Sequence, residues 1–141
     1  AGQKILLLKP MTYMNVSGDS VQQAARFYKL PVSDITAFHD ELDLAFTKVR
    51  VKRGGGAAGH NGLRSMDRTL NDQNYWRVRL GIGHPGHKDR VTGHVLGDFA
   101  KAEQNELETL LDAVADAAPL LAKSEPEAFM TKVAMLCGEK R

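Results

Sequence analysis

Histidine and carboxylate side chains cluster where an apolar run of the sequence ends. His39, Asp40, Glu41 and Asp43 directly follow the run 35–38, which is typical of a strand. In open α/β sheets, ligands bind at the carboxyl ends of the strands. A carboxylate there could orient a histidine so that the other ring nitrogen takes a proton from water. The cluster therefore indicates hydrolytic chemistry, with a hard-metal site and a solvated turn as its two alternatives.

A glycine-rich loop, residues 54–59, ends on Gly59 and leads into His60 and Asn61. Glycines let the backbone approach a ligand closely, and a helix predicted after the loop would offer unpaired N–H groups to an anion. The loop matches neither of the nucleotide-binding patterns GxxxxGKS/T and GxGxxG. Asn61 could instead be only a helix cap, and His60 could be structural. The loop indicates an anionic ligand that is not held by either of these nucleotide motifs.

Tyr13, Met14 and Asn15 follow a second apolar run, residues 3–9, and precede an amphipathic segment. The amide of Asn15 can both donate and accept hydrogen bonds, which suits the positioning of a carbonyl group or a water. Tyr13 could simply pack, and Asn15 could simply begin a helix. The segment predicts a second polar group at the ligand edge of the sheet.

Basic side chains alternate with apolar ones along two predicted strands. These basic residues are Lys48, Arg50, Lys52, Arg53, Arg77 and Arg79. Residues 44–96 hold ten Lys or Arg against three Asp or Glu. This excess favours a partner with phosphates spaced along a backbone, and a solvent-facing pair of strands is the alternative. Aromatic residues make up 6% of the chain, so extensive base stacking is not expected.

The elements that must position these groups alternate between strands and helices. We predict strands over 3–9, 34–39, 47–53 and 75–83 and helices over about 18–29 and 62–71. We expect one α/β domain over residues 1–141, with a mixed twisted sheet flanked by helices. Because the chain opens on a strand that reads as buried on both faces, we also expect N-terminal strands of the fold to be missing.

The last third of the chain is predicted to be helical. Asp98 is expected to cap a helix whose apolar residues run from Leu107 to Leu121, and Pro119 is expected to kink or shorten it. Residues 124–127 form a capping box for a second helix.

The composition, 43% hydrophobic and 26% charged, is that of an ordinary globular protein. No apolar run of the sequence is long enough to span a membrane. The single cysteine, Cys137, excludes an internal disulfide and a CxxC metal site, and it favours a reducing compartment.

Four segments occur in the order and approximate spacing of the bacterial peptidyl-tRNA hydrolase family. They are residues 9–18 (KPMTYMNVSG), 39–43 (HDELD), 54–63 (GGGAAGHNGL) and 79–86 (RLGIGHPG). The resemblance covers essentially all 141 residues. It implies hydrolysis of the ester between a nascent peptide and the 3′ ribose of tRNA. It also implies that no metal or other cofactor takes part, and that the protein is a cytoplasmic monomer.

The resemblance also implies roles for individual residues. A histidine of the family acts as general base on water, and Asp40 would orient that histidine. Asn15 and Asn61 would complete the catalytic group by positioning substrate and water. The implied substrate-binding residues are Tyr13, Met14, Gly59, His60, Lys52 and Arg79, of which Lys52 and Arg79 would hold tRNA phosphate.

None of the five histidines of the chain matches the general base of the family. In the family this histidine lies in an N-terminal segment with a central strand and an asparagine that recognises the peptide. We expect that segment to be missing from this chain. A non-catalytic module that binds tRNA or another RNA is the alternative to an esterase.

Overall fold

The structure, a computed structural model, describes residues 4–57 and 59–138. Its strands are β1 (Thr36–Glu41), β2 (Val49–Arg53) and β3 (Trp76–Gly81). Its helices are α1 (Ser17–Phe27), α2 (Asn61–Leu70), α3 (Val91–Leu96), α4 (Gln104–Ala122) and α5 (Pro126–Leu136). Short 3-10 turns lie at Met14–Val16, Val32–Asp34, Lys88–Arg90 and Lys101–Glu103. Among the described residues, no helix is long and apolar enough to cross a membrane.

The three strands form one sheet in the order β1-β3-β2. The backbone N–H of Trp76 donates to the carbonyl of Ile35 at 2.9 Å, and that of Ile82 donates to the carbonyl of Glu41 at 3.0 Å. Residue numbers rise together along these two bonds, so β1 and β3 are parallel.

Strands β2 and β3 are antiparallel. The N–H of Gly54 donates to the carbonyl of Tyr75 at 3.1 Å, and that of Gly81 donates to the carbonyl of Lys48 at 2.8 Å. Residue numbers rise on one strand as they fall on the other. The expectation of an α/β fold with a mixed sheet is therefore confirmed.

The described residues divide into two compact units, and every strand passes from one into the other. Unit one contains residues 38–51 and 78–138, and unit two contains residues 4–37, 52–57 and 59–77. The expected domain boundary at 1–141 stays a prediction.

The core of unit one forms where α4 and α5 pack against the sheet. Its buried residues are Val49, Val78, Leu110, Ala113, Ala117, Phe129 and Val133. Val78 and Phe129 have no exposed surface. Cys137 packs at the edge of this core.

The core of unit two is built by Leu63 and Met66 of α2 together with Tyr75. Helix α1 lies against α2 at a glycine. The N–H of Gly18 donates to Oγ of Ser65 at 2.8 Å, and a Cβ on residue 18 would overlap the carbonyl of Ser65. Glycine at position 18 is what lets the two helices meet this closely.

The strand predicted over residues 3–9 is not part of the sheet. Residue 3 lies outside the described residues, and residues 4–9 form no strand. Leu7 is 89% exposed. An apolar run becomes an inner strand only where neighbouring strands supply hydrogen bonds, and the described sheet consists of β1, β3 and β2.

The predicted start of the C-terminal helix at Asp98 is wrong. Helix α4 begins after the turn Lys101–Glu103, where Oε1 of Glu103 accepts a hydrogen bond from the N–H of Ala100 at 2.8 Å. Pro119 does not end the helix, which continues to Ala122. Residues 120 and 121, beyond the proline, pack against the core of unit one. This packing outweighs the one hydrogen bond that a proline removes.

The predicted capping box at residues 124–127 is also wrong. Ser124 has a φ of 59°, and its N–H donates to the carbonyl of Leu121 at 2.9 Å, so it ends α4. Helix α5 begins at Pro126, and its N-terminal cap, Glu125, makes no side-chain cap bond. Proline has no N–H to be capped and its fixed φ suits the first helical position.

Candidate functional site

The turn that carries Tyr13, Met14 and Asn15 is held against α2 within unit two. Oγ of Ser17 donates to the carbonyl of Met14 at 2.8 Å. Nη2 of Arg68, on α2, donates to the carbonyl of Asn15 at 3.5 Å. The side chains of Tyr13 and Met14 are 86% and 57% exposed, and that of Asn15 is exposed as well. The backbone of the turn is thus anchored while its side chains are exposed.

Met14 and His60 are brought together over the first turn of α2. A Cβ on Gly62 would lie 2.7 Å from Sδ of Met14 and 2.9 Å from Cε1 of His60. Any larger residue at position 62 would therefore displace one of them. Both are predicted substrate-binding residues, whereas Gly62 was given no role of its own.

His60 caps α2 with its ring. Nδ1 of His60 accepts a hydrogen bond from the N–H of Leu63 at 3.2 Å. The alternative that Asn61 is the cap is therefore wrong, and Asn61 is the first helical residue with an exposed side chain. Because Nδ1 is an acceptor, the neutral ring carries its proton on Nε2. That tautomer can donate to a carbonyl oxygen and cannot act as a base through Nε2.

The glycine-rich loop takes a backbone path that other residues rarely adopt. Gly54, Gly55 and Gly59 have φ values of 71°, 96° and 84°. A Cβ on Gly55 would lie 2.6 Å from Nζ of Lys52, so the lysine ammonium lies across this glycine. A positive charge beside the loop and the start of α2 after it make this part of unit two attractive to an anion.

Arg77, which the alternation predicted to face a phosphate, is instead buried. Its side chain is 2% exposed, and its Nη1 donates to the carbonyl of Gly56 at 2.6 Å. Its guanidinium lies 4.5 Å from the centre of the Tyr75 ring, and Nη2 is 3.4 Å from Oδ1 of Asp67. Period-two alternation gives the face of a strand but not what covers that face, and here the glycine loop and α2 supply partners.

Tyr75 and Asp67 complete this buried group. The hydroxyl of Tyr75 donates to Oδ1 of Asp67 at 2.7 Å. Burial, and then the hydrogen bond to Asp67, raise the pKa of the Tyr75 hydroxyl well above its ordinary value. Tyr75 is therefore a neutral donor near neutral pH.

Also in unit two, the exposed Arg53 lies over an aromatic ring. Its guanidinium carbon is 5.7 Å from the centre of Trp76, the only tryptophan of the chain. Exposed cation–π pairs of this kind contribute about 0.5–1 kcal/mol.

In unit one, Arg79 is paired with the acidic cluster. Nε of Arg79 donates to Oε1 of Glu41 at 2.9 Å, and the N–H of Asp43 donates to Oε2 of Glu41 at 3.3 Å. Glu41 is 8% exposed, whereas the side chain of Arg79 keeps 27% of its surface exposed. Glu41 was not assigned a role from the sequence. Its ion pair fixes the direction of the Arg79 side chain.

The pKa of Glu41 lies below its ordinary value. Burial alone would raise it, but the hydrogen bonds from Arg79 and from the N–H of Asp43, together with the positive charge of Arg79, lower it further than burial raises it. The carboxylate is therefore ionised whenever the protein is near neutral pH.

His39 and Asp40 lie next to each other at the end of β1. Nδ1 of His39 is 2.8 Å from the carbonyl oxygen of Asp40. Since that oxygen only accepts, Nδ1 donates and the neutral ring has its lone pair on Nε2. Nε2 of His39 is buried, and the Asp40 side chain is half-buried. Across residues 4–57 and 59–138, no three His, Cys, Asp or Glu side chains are grouped to hold a metal ion.

A cavity of about 200 Å³ in unit one is lined by none of the site residues that were predicted from the sequence. It is lined by Thr47, Asn105, Glu106, Thr109 and Cys137. Of the nine predicted site residues, Asp40 and Arg79 belong to unit one and the other seven belong to unit two.

Comparison with known proteins gives a consistent result. The family model described as peptidyl-tRNA hydrolase matches residues 1–140. The chain is 79% identical over 137 residues to the peptidyl-tRNA hydrolase of Gluconobacter oxydans, and the match covers 97% of this chain and 72% of that protein. It is 71% identical over 136 residues to the peptidyl-tRNA hydrolase of Granulibacter bethesdensis, and that match covers 96% of this chain and 70% of the relative.

A solved structure is similar as well. The crystal structure of peptidyl-tRNA hydrolase from Acinetobacter baumannii matches with a TM-score of 0.79 and 42% identity, over 88% of this chain and 63% of that chain. The chain thus spans slightly less than two thirds of that solved protein. The match over residues 1–140 does not confirm the expectation that an N-terminal segment is missing, and that expectation stays a prediction.

Proposed function

Because the chain belongs to the peptidyl-tRNA hydrolase family, we propose that it hydrolyses the ester that joins a peptide to the 3′ ribose of tRNA. The observation that carries the proposal is the start of α2. There a histidine held in one tautomer, an exposed asparagine and a lysine-covered glycine loop lie in one short segment. These groups suit a carbonyl oxygen, a water and a phosphate respectively.

In unit two, we assign a role to each polar group. His60 donates its Nε2 proton to the ester or peptide carbonyl, since Nδ1 is used by Leu63. Asn61 and Asn15 position the substrate and the attacking water through their exposed amides. Tyr13 and Met14 provide a largely exposed apolar surface for the terminal nucleotide or the peptide. Gly59 allows the loop to turn into α2 with a φ of 84°.

Phosphate binding is assigned to Lys52 in unit two and, separately, to Arg79 in unit one. Lys52 lies across Gly55 beside the loop. Arg79 is held by Glu41 through Nε and keeps part of its guanidinium exposed. An arginine with one edge fixed presents its remaining donors to an oxyanion in a set direction.

Asp40 is assigned to the orientation of the general-base histidine, which we expect in a segment that precedes residue 1 in the family. The side chain of Asp40 is half-buried at the end of β1, and HDELD follows the strand directly. The cytoplasmic location and monomeric state belong to the same proposal. The single thiol of the chain is consistent with a reducing compartment.

The test measures release of the N-acetyl-amino acid from N-acetyl-aminoacyl-tRNA, with and without EDTA. It uses the 141-residue chain and the same chain extended by the upstream segment of the Gluconobacter oxydans relative. The extended protein is expected to cleave the substrate, and Asp40→Ala should reduce the rate by about 10²–10⁴-fold, the usual size of a general-base contribution. An undiminished rate after this substitution would show that Asp40 does not have the assigned role.

A non-catalytic RNA-binding module is the second candidate, and the position of Lys52 over the glycine loop favours it equally. In that case, both proteins would bind tRNA in a salt-dependent manner, with no cleavage by either. Cleavage that is lost on adding EDTA would instead support a metal-dependent hydrolase.

A further inference from the structure

The glycine loop of unit two is fixed by a buried side chain that the proposed function does not use. Nη1 of Arg77 reaches the carbonyl of Gly56 at 2.6 Å, a short charge-assisted hydrogen bond. Three residues after Gly54 the loop turns back, where the N–H of His60 donates to the carbonyl of Ala57 at 2.9 Å. The tethered carbonyl therefore lies directly before the turn that presents His60.

Arg77 is itself held on several sides. Its Nη2 contacts Oδ1 of Asp67 at 3.4 Å and the carbonyl of Gln73 at 3.5 Å, and its guanidinium lies on the ring of Tyr75 at 4.5 Å. Tyr75 in turn donates to Asp67 at 2.7 Å. The side chain of Arg77 is 2% exposed and is bonded on several sides, so its guanidinium has one available orientation.

The loop needs such a tether because of its own composition. Three consecutive glycines, residues 54–56, lose more backbone freedom on ordering than any other residues would. The N–H of Gly54 bonds to the carbonyl of Tyr75, directly before β3, and the side chain of Arg77, on β3, bonds to the carbonyl of Gly56.

We propose that Arg77 is a positioning residue for substrate binding. By holding the carbonyl of Gly56, it sets the path of the loop that supports Lys52 and leads into His60 and Asn61. The inference rests on the proposed function for its substrate, a tRNA, and on the structure of unit two for the tether. Arg77 does not touch the substrate, since it is buried beneath the loop.

The experiment compares three variants of the extended, active protein. Arg77→Lys keeps the charge but replaces a planar group having five donors by a single ammonium, which cannot bond Gly56 and Asp67 in the same geometry. Asp67→Asn keeps Oδ1 as an acceptor and leaves the bond to Gly56 in place. Met66→Ala weakens the same core at a side chain that takes no part in the bond to Gly56.

Two readouts separate a loop effect from a general loss of stability. The first is the rate of trypsin cleavage after Arg53, at the edge of the loop, followed by mass spectrometry below the melting temperature of each variant. The second is KM for peptidyl-tRNA, determined separately from kcat. We expect Arg77→Lys to raise both the cleavage rate and KM by about tenfold while kcat changes by less than about threefold, because the loop is released but the reacting groups are retained. Asp67→Asn and Met66→Ala should leave both values near those of the parent protein.

Each outcome decides one of two questions. If Arg77→Lys is cleaved by trypsin no faster than Met66→Ala, the tether is overturned whatever the enzyme does. If cleavage rises but the parent protein neither binds nor hydrolyses peptidyl-tRNA, the tether stands and the proposed function fails. Should Arg77→Lys not fold, the double variant Asp67→Asn/Arg77→Met, which leaves no unpaired charge in the interior, is expected to release the loop in the same way.

Discussion

Single residues decide which chemistry each part of the chain can perform. The ring of His60 is a donor because its Nδ1 caps α2, and the carboxylate of Glu41 is an ion-pair partner because it is buried beside Arg79. Neither role follows from residue type. Each follows from one partner: for His60 it is the nearby Leu63, and for Glu41 it is Arg79, which is distant in sequence.

Two substitutions at position 60 should separate capping from catalysis. Asparagine is a good N-terminal cap without an imidazole donor, so His60→Asn should keep the stability of the protein. His60→Ala should lose about 1 kcal/mol of unfolding free energy, because the cap is lost as well. Both variants should reduce the rate of hydrolysis at least about tenfold, if the Nε2 proton stabilises an oxyanion. Urea unfolding and single-turnover hydrolysis check the pair, and an active His60→Asn variant would contradict the donor role.

The ion pair of Glu41 should make stability depend on pH in acid. Its pKa is lowered in the folded protein, so its stabilising effect is complete above the unfolded pKa of about 4.3 and is lost as the pH falls through the folded value. Glu41→Gln should cost about 1–2 kcal/mol at pH 7 and much less near pH 3. Urea unfolding at the two pH values measures this. An equal difference at both would mean that the carboxylate charge contributes nothing.

At the scale of elements, the spacing of apolar residues predicted the helices and strands that local contacts determine. Helices α1 and α2 and strands β2 and β3 lie within a few residues of their expected positions, since their apolar spacing matches the faces they bury. The ends of α4 and α5 were mispredicted because Glu103 and Pro126, rather than Asp98 and Ser124, set their starts. The strand at 3–9 was mispredicted because pairing partners are not encoded in the run itself. Arg77 was misplaced because its partners come from a distant loop and helix.

The contact between α1 and α2 offers a direct test of one such element. Gly18→Ala should destabilise the protein by about 1–3 kcal/mol, because the added methyl group overlaps the carbonyl of Ser65. Gln23→Ala, at an exposed position of the same helix, should change stability little. Thermal and urea unfolding of both variants check this, and equal effects would show that the two helices separate easily.

At the scale of the whole molecule, charge is distributed unevenly along the chain. Ten basic and three acidic residues lie between 44 and 96, whereas the helical last third is acidic. The sequence alone predicted this distribution and the polyanionic partner. The structure changes which basic residues could face such a partner, since Arg77 is buried and Arg79 is paired with Glu41.

Salt dependence should therefore identify the residues that meet phosphate. Lys52→Met and Arg79→Met should each reduce the slope of log K against log salt for tRNA binding by about 0.7–0.9, the contribution of one phosphate contact. Lys123→Met, at the exposed end of α4, should leave the slope unchanged. Binding titrations at several salt concentrations measure it. A slope that is the same for all three variants would argue against both assigned contacts.

The placement of two unique side chains provides a natural pair of reporters. The only tryptophan, Trp76, belongs to unit two, and the only cysteine, Cys137, packs at the edge of the core of unit one. Tryptophan emission and thiol accessibility to a small reagent thus follow different parts of the chain without any label. Coincident denaturation curves from both signals would identify one cooperative folding unit, and separated curves would identify an intermediate with one part intact.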